Sequence, residues 1–238
     1  MELLDRILWC HSDKPDALRI AIGFHRTFLI KQLIPLVPKC SIDSASKRGL
    51  ISLLNYWKTH FTNDNNDHSN THKTHYSVQA IDRASEAGHI SILDWWLNES
   101  GWELRYTENA IDHCTDIPTL EWWISHSIQF CGSLQLKYSK KALDRLSEYG
   151  HIKVLNFWIH SGLTLLWSDQ AINMAASNNQ ISVLNWWKNS GLEFIYNEWA
   201  MDRASKNGHM NVLNWFKNSG FEPKYSYRAM DYASEKSL

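Results

Sequence analysis

An acidic residue recurs at one position of a repeated motif, and a row of carboxylates could hold a metal ion or act in catalysis. The position is occupied by Asp43, Asp82, Asp112, Asp144, Asp202 and Asp231, with Asn173 in one copy. A functional site usually departs from the symmetry of its scaffold, and this column keeps that symmetry. We therefore predict a structural role, in which each carboxylate accepts N–H bonds from a neighbouring turn.

Histidine follows glycine in three copies of the motif, at His89, His151 and His209. Stacked helices lie about 10 Å apart, whereas zinc needs each histidine nitrogen at about 2.0–2.1 Å. Neighbouring copies are too far apart to share an ion, so the three histidines are predicted to be structural.

Residues 59–75 form an insertion that is rich in metal-binding residue types. The segment contains His60, Asp64, Asp67, His68, His72 and His75. Histidine and aspartate suit zinc or copper, which keeps metal binding as an alternative. Asn, Thr, Ser and Asp dominate the segment, however, as in a solvated loop, and loop insertions cost little closure entropy. We predict a plain loop, with no metal site and no cofactor.

The sequence contains no recognisable catalytic motif: nucleophile-elbow, P-loop, dinucleotide and zinc-protease patterns are all missing from it. The four cysteines, Cys10, Cys40, Cys114 and Cys131, show no C-x-x-C spacing. They indicate buried thiols in a reducing compartment. The chain is therefore predicted not to be an enzyme and to be intracellular, in the cytoplasm with the nucleus as the alternative.

The overall charge disfavours two classes of partner. A formal net charge of -1 and a pI of about 6.9 give no broad basic field for nucleic acid or membrane lipid. No stretch approaches the ~18 apolar residues of a membrane span. The acidic start, Met1-Glu2-Leu3-Leu4-Asp5, does not resemble a secretory signal. We expect a monomer that binds neither nucleic acid nor membranes.

The elements that carry these residues are helix pairs. The alanine that opens the motif recurs at Ala80, Ala110, Ala142, Ala171, Ala200 and Ala229, at intervals of 30, 32, 29, 29 and 29. An aromatic pair follows at Trp95-Trp96, Trp122-Trp123, Phe157-Trp158, Trp186-Trp187 and Trp215-Phe216, and Tyr56-Trp57 precedes them. Each first helix is predicted to begin at a capping residue: Ser77, Thr107, Ser139, Ser168, Asn197 or Ser226. Gly88, Gly150 and Gly208 are predicted to end it.

The second helix is too apolar to be stable alone. Between Ile90 and Asn98, the apolar side chains cover about 220° of the helix circumference. A helix of this kind needs neighbours on two sides, which only a stack of units supplies. About six helix pairs are therefore predicted to pack one on the next.

The motif resembles the ankyrin repeat. Ala80-Ile81-Asp82-Arg83-Ala84 stands where that family has Pro-Leu-His-x-Ala, and Gly88-His89-Ile90-Ser91-Ile92-Leu93 matches its Gly-His-aliphatic stretch. Asp in the His position, Trp-Trp in the aliphatic pair and a shorter link between units are departures. The resemblance implies an all-α, ankyrin-like α-solenoid of stacked helix-turn-helix repeats of about 29–30 residues, with shortened hairpin loops.

We divide the chain into one continuous solenoid domain. Residues 1–38 are predicted to be a degenerate N-terminal capping repeat. The repeats that follow are 39–75, 76–105, 106–137, 138–166, 167–195, 196–224 and a partial unit, 225–238. The 106–137 copy is irregular, because it lacks Gly-His and reads Asp116-Ile117-Pro118-Thr119.

The resemblance implies that a partner protein binds the concave face formed by variable first-helix positions. The candidate residues are Arg83, Glu86, His113, Arg145, Glu148, Met174, Arg203 and Lys206. Arginine and aromatic residues often anchor protein interfaces, so we predict a protein–protein interaction scaffold or adaptor. A helical-repeat nucleic-acid binder is the alternative. An enzyme or metal-binding protein that uses segment 59–75 is the third hypothesis.

Overall fold

The computed structural model describes residues 41–61, 76–128 and 132–235. These residues are helical and contain no β-strand, which confirms the all-α class. The chain divides into two compact units, Met1–Ala110 and Ile111–Leu238. The predicted capping repeat, 1–38, lies outside the described residues, and the single continuous domain stays a prediction.

Helices follow one another in pairs along the described chain. The first unit contains α1 (Ser41–Lys47), α2 (Ile51–Phe61), α3 (Gln79–Glu86) and α4 (Ile90–Asp94), which continues as a π-helical turn over Trp95–Glu99. The short helix α5 (Asn109–Asp112) comes next. The second unit contains α6 (Ile117–Ser125), α7 (Lys141–Tyr149), α8 (Ile152–His160), α9 (Asp169–Ser177), α10 (Ile181–Asn189), α11 (Trp199–Asn207), α12 (Met210–Ser219) and α13 (Tyr227–Glu235).

Helices of successive repeats pack in two rows. In the first unit, α1 packs on α3. In the second unit, α7 packs on α9, α9 on α11 and α11 on α13, while α8 contacts α10 and α10 contacts α12. Each repeat in these rows therefore buries its apolar face against the neighbouring repeat.

The predicted helix ends are confirmed. The Ser168 Oγ accepts a hydrogen bond from the Gln170 N–H at 3.2 Å, and the other five capping residues accept equivalent bonds. Gly88, Gly150 and Gly208 adopt φ values of 70°, 80° and 72°. Asn179 takes the same left-handed conformation in the 167–195 repeat, with φ 58°. Asparagine is the residue that tolerates this conformation best after glycine.

The aspartate column joins each repeat to the next. Asp144 accepts hydrogen bonds from both the backbone N–H and the hydroxyl of Ser168, at 2.9 and 2.6 Å. The same pair of bonds joins Asp43 to Ser77, Asp82 to Thr107, Asp112 to Ser139 and Asp202 to Ser226. The predicted structural role of these carboxylates is confirmed.

One copy keeps this junction with different chemistry. Asn173 replaces the aspartate, and Asn197 replaces the capping hydroxyl residue of the next repeat. The Asn173 amide nitrogen donates to the Asn197 side-chain oxygen at 3.0 Å, while the Asn197 N–H donates to the Asn173 oxygen at 3.3 Å. The two substitutions compensate each other, because an amide supplies both a donor and an acceptor.

The two aromatic positions of the second helix differ in burial. The second one is buried throughout the described repeats, at Trp57, Trp96, Trp123, Trp158, Trp187 and Phe216. The first is buried at Trp95 and Trp122 but only half-buried at Tyr56, Phe157, Trp186 and Trp215. The prediction that neighbouring units cover the apolar side chains of the second helix is confirmed for the second position. For the first position it was wrong in four copies, where the side chain is only half-buried.

Buried serines accept hydrogen bonds from the second aromatic position. The Trp187 Nε1 donates to the Ser147 Oγ at 2.8 Å, across 40 residues, and the Trp96 Nε1 donates to the Ser46 Oγ at 3.0 Å. Phe216 occupies this position in the 196–224 repeat, and the residue 40 before it is alanine rather than serine. Donor and acceptor are thus lost together, and a buried polar group is not left without a partner.

The irregular 106–137 repeat begins its second helix early. The Asp116 side chain accepts a bond from the Thr119 N–H at 2.9 Å, and Pro118 lies in the first turn of α6. Both are features of a helix start, so α5 ends already at Asp112. Thr115, which follows Asp112 at the spacing of the buried serines, consequently lies outside a helix. The Trp158 Nε1 is buried without a hydrogen-bond partner among the residues that the structure describes.

Candidate binding surface

Seven of the eight predicted binding residues lie on first helices, and all eight are at least partly exposed. Arg83 and Glu86 lie on α3, Arg145 and Glu148 on α7, Met174 on α9, and Arg203 and Lys206 on α11. The placement of His113 on a first helix was wrong, because α5 ends one residue before it.

In the first unit, the candidate arginine is held along its own helix. Arg83 forms an ion pair with Glu86 at 2.5 Å, and its Nε donates to the Gln79 Oε1 at 2.9 Å. The side chains of Arg83 and Glu86 are 41% and 32% exposed, so solvent screens their attraction. The two charges of this ion pair cancel on the surface of α3.

In the second unit, the candidate arginine of α7 contacts an aromatic ring of its own helix. The Arg145 guanidinium lies over the Tyr149 ring, 5.5 Å from its centroid. The Arg145 Nε is buried with no hydrogen-bond partner among the described residues. Next to it, the Glu148 backbone oxygen accepts a bond from the Asn178 amide at 3.1 Å, which links the ends of α7 and α9.

The structure brings Met174, Arg203 and Lys206 to one place. An Arg203 Nη1 donates toward the Met174 Sδ at 3.1 Å, and the guanidinium carbon lies 4.8 Å from the centroid of the Trp199 ring. Arg145 does not join this group by any hydrogen bond or ion pair within the described residues. A pocket of about 400 Å³ opens here, which we call the Trp199 pocket. Its lining includes Trp199, Asp202, Arg203, Lys206, Asn207 and Arg228.

The sequence prediction of the binding residues missed Ser177, Trp199, Asn207 and Arg228 of the Trp199 pocket, and two of these, Trp199 and Arg228, occupy the same position of the repeat. Both stand three residues before an aspartate of the repeated column. The earlier copies carry Cys40, Gln79, Asn109, Lys141 and Gln170 at that position. The tryptophan, 43% exposed, is the departure from the pattern that could have identified the pocket.

Among the buried titratable groups, Asp144 and Cys114 have raised pKa values. Burial raises the pKa of Asp144, and the two hydrogen bonds from Ser168 oppose that rise. Burial raises the pKa of the Cys114 thiol to about 12, with the Asp116 carboxylate contributing. A thiol of this kind stays protonated near neutral pH and is a poor nucleophile.

The histidines after glycine contact the preceding repeat, as a structural role requires. The His209 Nε2 lies 3.0 Å from the Ser177 backbone oxygen. The His89 ring packs against Gly49, where an added Cβ would lie 3.1 Å from the ring. The structural role predicted for these histidines is confirmed at both positions.

Segment 59–75 is only partly described. Residues 59–61 belong to α2, so the prediction that they form a loop was wrong, and residues 62–75 lie outside the described residues. Among the residues that are described, no three His, Cys, Asp or Glu side chains cluster closely enough to hold a metal ion. For residues 62–75, the absence of a metal site stays a prediction.

In the described parts of the chain, every helix is too short or too polar to cross a membrane. No protein-family model matches the sequence, and no curated protein matches it significantly.

Proposed function

We propose that the chain is a non-catalytic, ankyrin-like solenoid that binds a partner protein on the exposed face of its first helices. The proposal rests on one contrast. Positions that join successive repeats keep their hydrogen bonds, as from Ser168 to Asp144 and from Ser226 to Asp202, and the one Asn–Asn pair preserves the junction. Exposed first-helix positions change instead, from Arg145 to Met174 and then to Arg203.

This contrast is typical of a scaffold whose stacking and binding functions use separate residues. The stacking positions are satisfied by neighbouring repeats and have few groups left for a ligand. The exposed row combines arginine, methionine and glutamate with nearby aromatic rings, which are residue types suited to a protein interface. Arginine side chains that already lie over Tyr149 and Trp199 lose less conformational freedom on binding.

Affinity capture from the native cell tests the proposal. The full chain is compared with a triple variant, Arg83→Glu, Arg145→Glu and Arg203→Glu, which reverses charge along the first-helix row. We expect captured proteins to be lost from this variant. A matched control reverses three exposed cations on second helices, Lys153→Glu, Lys188→Glu and Lys217→Glu, and should keep the same partners.

Equal capture by the two variants would remove the first-helix face as the binding surface. The nucleic-acid alternative has its own readout, because phosphate contacts make affinity fall steeply with salt. A salt-dependent gel shift with RNA or DNA that the triple variant abolishes would favour that alternative.

A further inference from the structure

The Trp199 pocket departs from the charge pattern of α3 and α7. In α3 the arginine after the aspartate is followed three residues later by Glu86, and in α7 by Glu148. In α11 the same spacing places Lys206 after Arg203. Glu86 neutralises its arginine by an ion pair at 2.5 Å. Lys206 has the opposite charge, so α11 carries two cations one turn apart.

The remaining carboxylate of the pocket is already used in stacking. Asp202 is buried, and it accepts a hydrogen bond from the Ser226 N–H at 2.9 Å and another from the Ser226 hydroxyl. Arg228, at the start of α13, adds a third cation to the pocket wall. The lining of the pocket therefore contains three cations and one aspartate, in a chain whose net charge is -1.

The Arg203 side chain is held in place before any ligand arrives. The Trp199 ring supports one face of the guanidinium at 4.8 Å, and the Met174 sulfur lies 3.1 Å from an Nη1. A stacked guanidinium keeps its planar fork of donors, which matches the two oxygens of a carboxylate. An arginine that is already ordered also loses less entropy when it binds.

We propose that the Trp199 pocket binds an aspartate or glutamate side chain from an acidic segment of the partner protein. The inference rests on the proposed function, and it adds the chemistry of the partner to it. Arg203 forms the paired hydrogen bonds to the carboxylate, and Lys206 and Arg228 add long-range attraction. A pocket of about 400 Å³ is large enough to accept a side chain of this size.

Selection from a random 12-residue peptide library, with the full chain immobilised, tests this inference while the partner is still unidentified. The probe variant is Lys206→Glu, which restores the charge pattern of α3 and α7. The matched control is Lys217→Glu, the same change on the exposed face of α12. We expect wild type and control to enrich peptides rich in Asp and Glu, and the probe variant to lose that enrichment.

Synthetic peptides from the selection give the quantitative arm. Replacing the glutamates by glutamine should weaken binding to wild type about tenfold, and Lys206→Glu should weaken binding of the acidic peptide about as much. Raising the salt concentration should weaken the acidic peptide and leave the glutamine peptide nearly unchanged.

Two outcomes overturn the inference. The first is a selection that yields no enrichment of Asp and Glu. The second is an acidic peptide that binds Lys206→Glu as tightly as it binds wild type. Either result would show that the pocket does not recognise carboxylates. In either case, the proposed function stands if reversing Arg83 and Arg145 to Glu still abolishes capture of the partner protein. Tighter binding of inorganic phosphate or of a single-stranded RNA 12-mer than of the acidic peptides would also overturn it, in favour of a phosphate ligand.

Discussion

The bond between Trp187 and Ser147 gives the sharpest test of how the repeats are held together. The indole N–H donates to the serine hydroxyl at 2.8 Å, and both side chains are fully buried. The serine hydroxyl in turn donates to the Leu143 backbone oxygen at 2.7 Å. Ser147→Ala leaves the indole N–H buried without an acceptor, which costs about 1–3 kcal/mol of unfolding free energy.

Trp187→Phe removes the donor and part of the ring together. Its cost therefore combines lost packing with one hydrogen bond, and stays below the ~3–5 kcal/mol of Trp187→Ala. Trp158 is the matched comparison, because it is equally buried while its Nε1 has no partner in the described chain. Trp158→Phe loses the same ring area without a bond, so it should cost about 1 kcal/mol less than Trp187→Phe.

The double variant Ser147→Ala/Trp187→Phe reproduces the natural combination of Ala176 and Phe216. Once the donor is removed, the missing acceptor no longer matters. The double variant should therefore be about 1–2 kcal/mol more stable than the sum of the single losses indicates. This interaction energy isolates the hydrogen bond from the packing of the ring.

Urea unfolding, followed by far-ultraviolet circular dichroism, measures these free energies. Each variant must keep the wild-type dependence on urea, since repeat arrays do not always unfold in one step. The reasoning is refuted if the two single losses simply add, or if Trp158→Phe is as costly as Trp187→Phe.

Three other substitutions or probes test the surrounding structure. Burial raises the pKa of Asp144 above its usual 3.8, so ionising this carboxyl group destabilises the fold. The wild type should therefore lose stability relative to Asp144→Asn as the pH rises from about 3.8 through the raised pKa. A difference in urea midpoint that does not change with pH would contradict this expectation. Gly150→Ala should destabilise the fold more than Gly162→Ala. A Cβ at residue 150 would lie 2.6 Å from the Gln180 Oε1, whereas a Cβ at residue 162 meets none of the described atoms within 4 Å. Both variants share the cost of a left-handed alanine, about 1–2 kcal/mol of unfolding free energy, and equal melting temperatures would contradict the difference. Iodoacetamide at pH 8 should leave Cys114 unmodified in the folded chain and alkylate it in urea, as peptide mass spectrometry would show; alkylation of the folded chain would contradict its burial.

The sequence predicted what repetition makes visible. The capping residues, the glycine turns and the role of Asp144 follow from local hydrogen-bonding rules that act in the same way in each repeat. The burial of Trp96 and Trp187 follows from the width of the apolar face. These features were accessible because each position is sampled several times within one chain.

The features that were missed depend on which side chain faces which. The half-exposure of Trp186 and Trp215 depends on how much of each ring its neighbours cover, which periodicity does not give. The early start of α6 could have been read from Asp116 and Pro118, which resemble a helix start. The pairing of Ser147 with Trp187 had a visible sign, since Ala176 and Phe216 depart from the pattern together.

The serine–tryptophan bond also limits how the repeats can be rearranged. A tandem duplication of residues 167–195 would place the second copy of Trp187 beside the first copy of Ala176, and its indole nitrogen would lose its acceptor. Deletion of the same residues would set Phe216 beside Ser147, whose hydroxyl keeps Leu143 as its acceptor. Loss of this repeat is therefore better tolerated than its gain, and an insertion survives best when the serine is restored along with it.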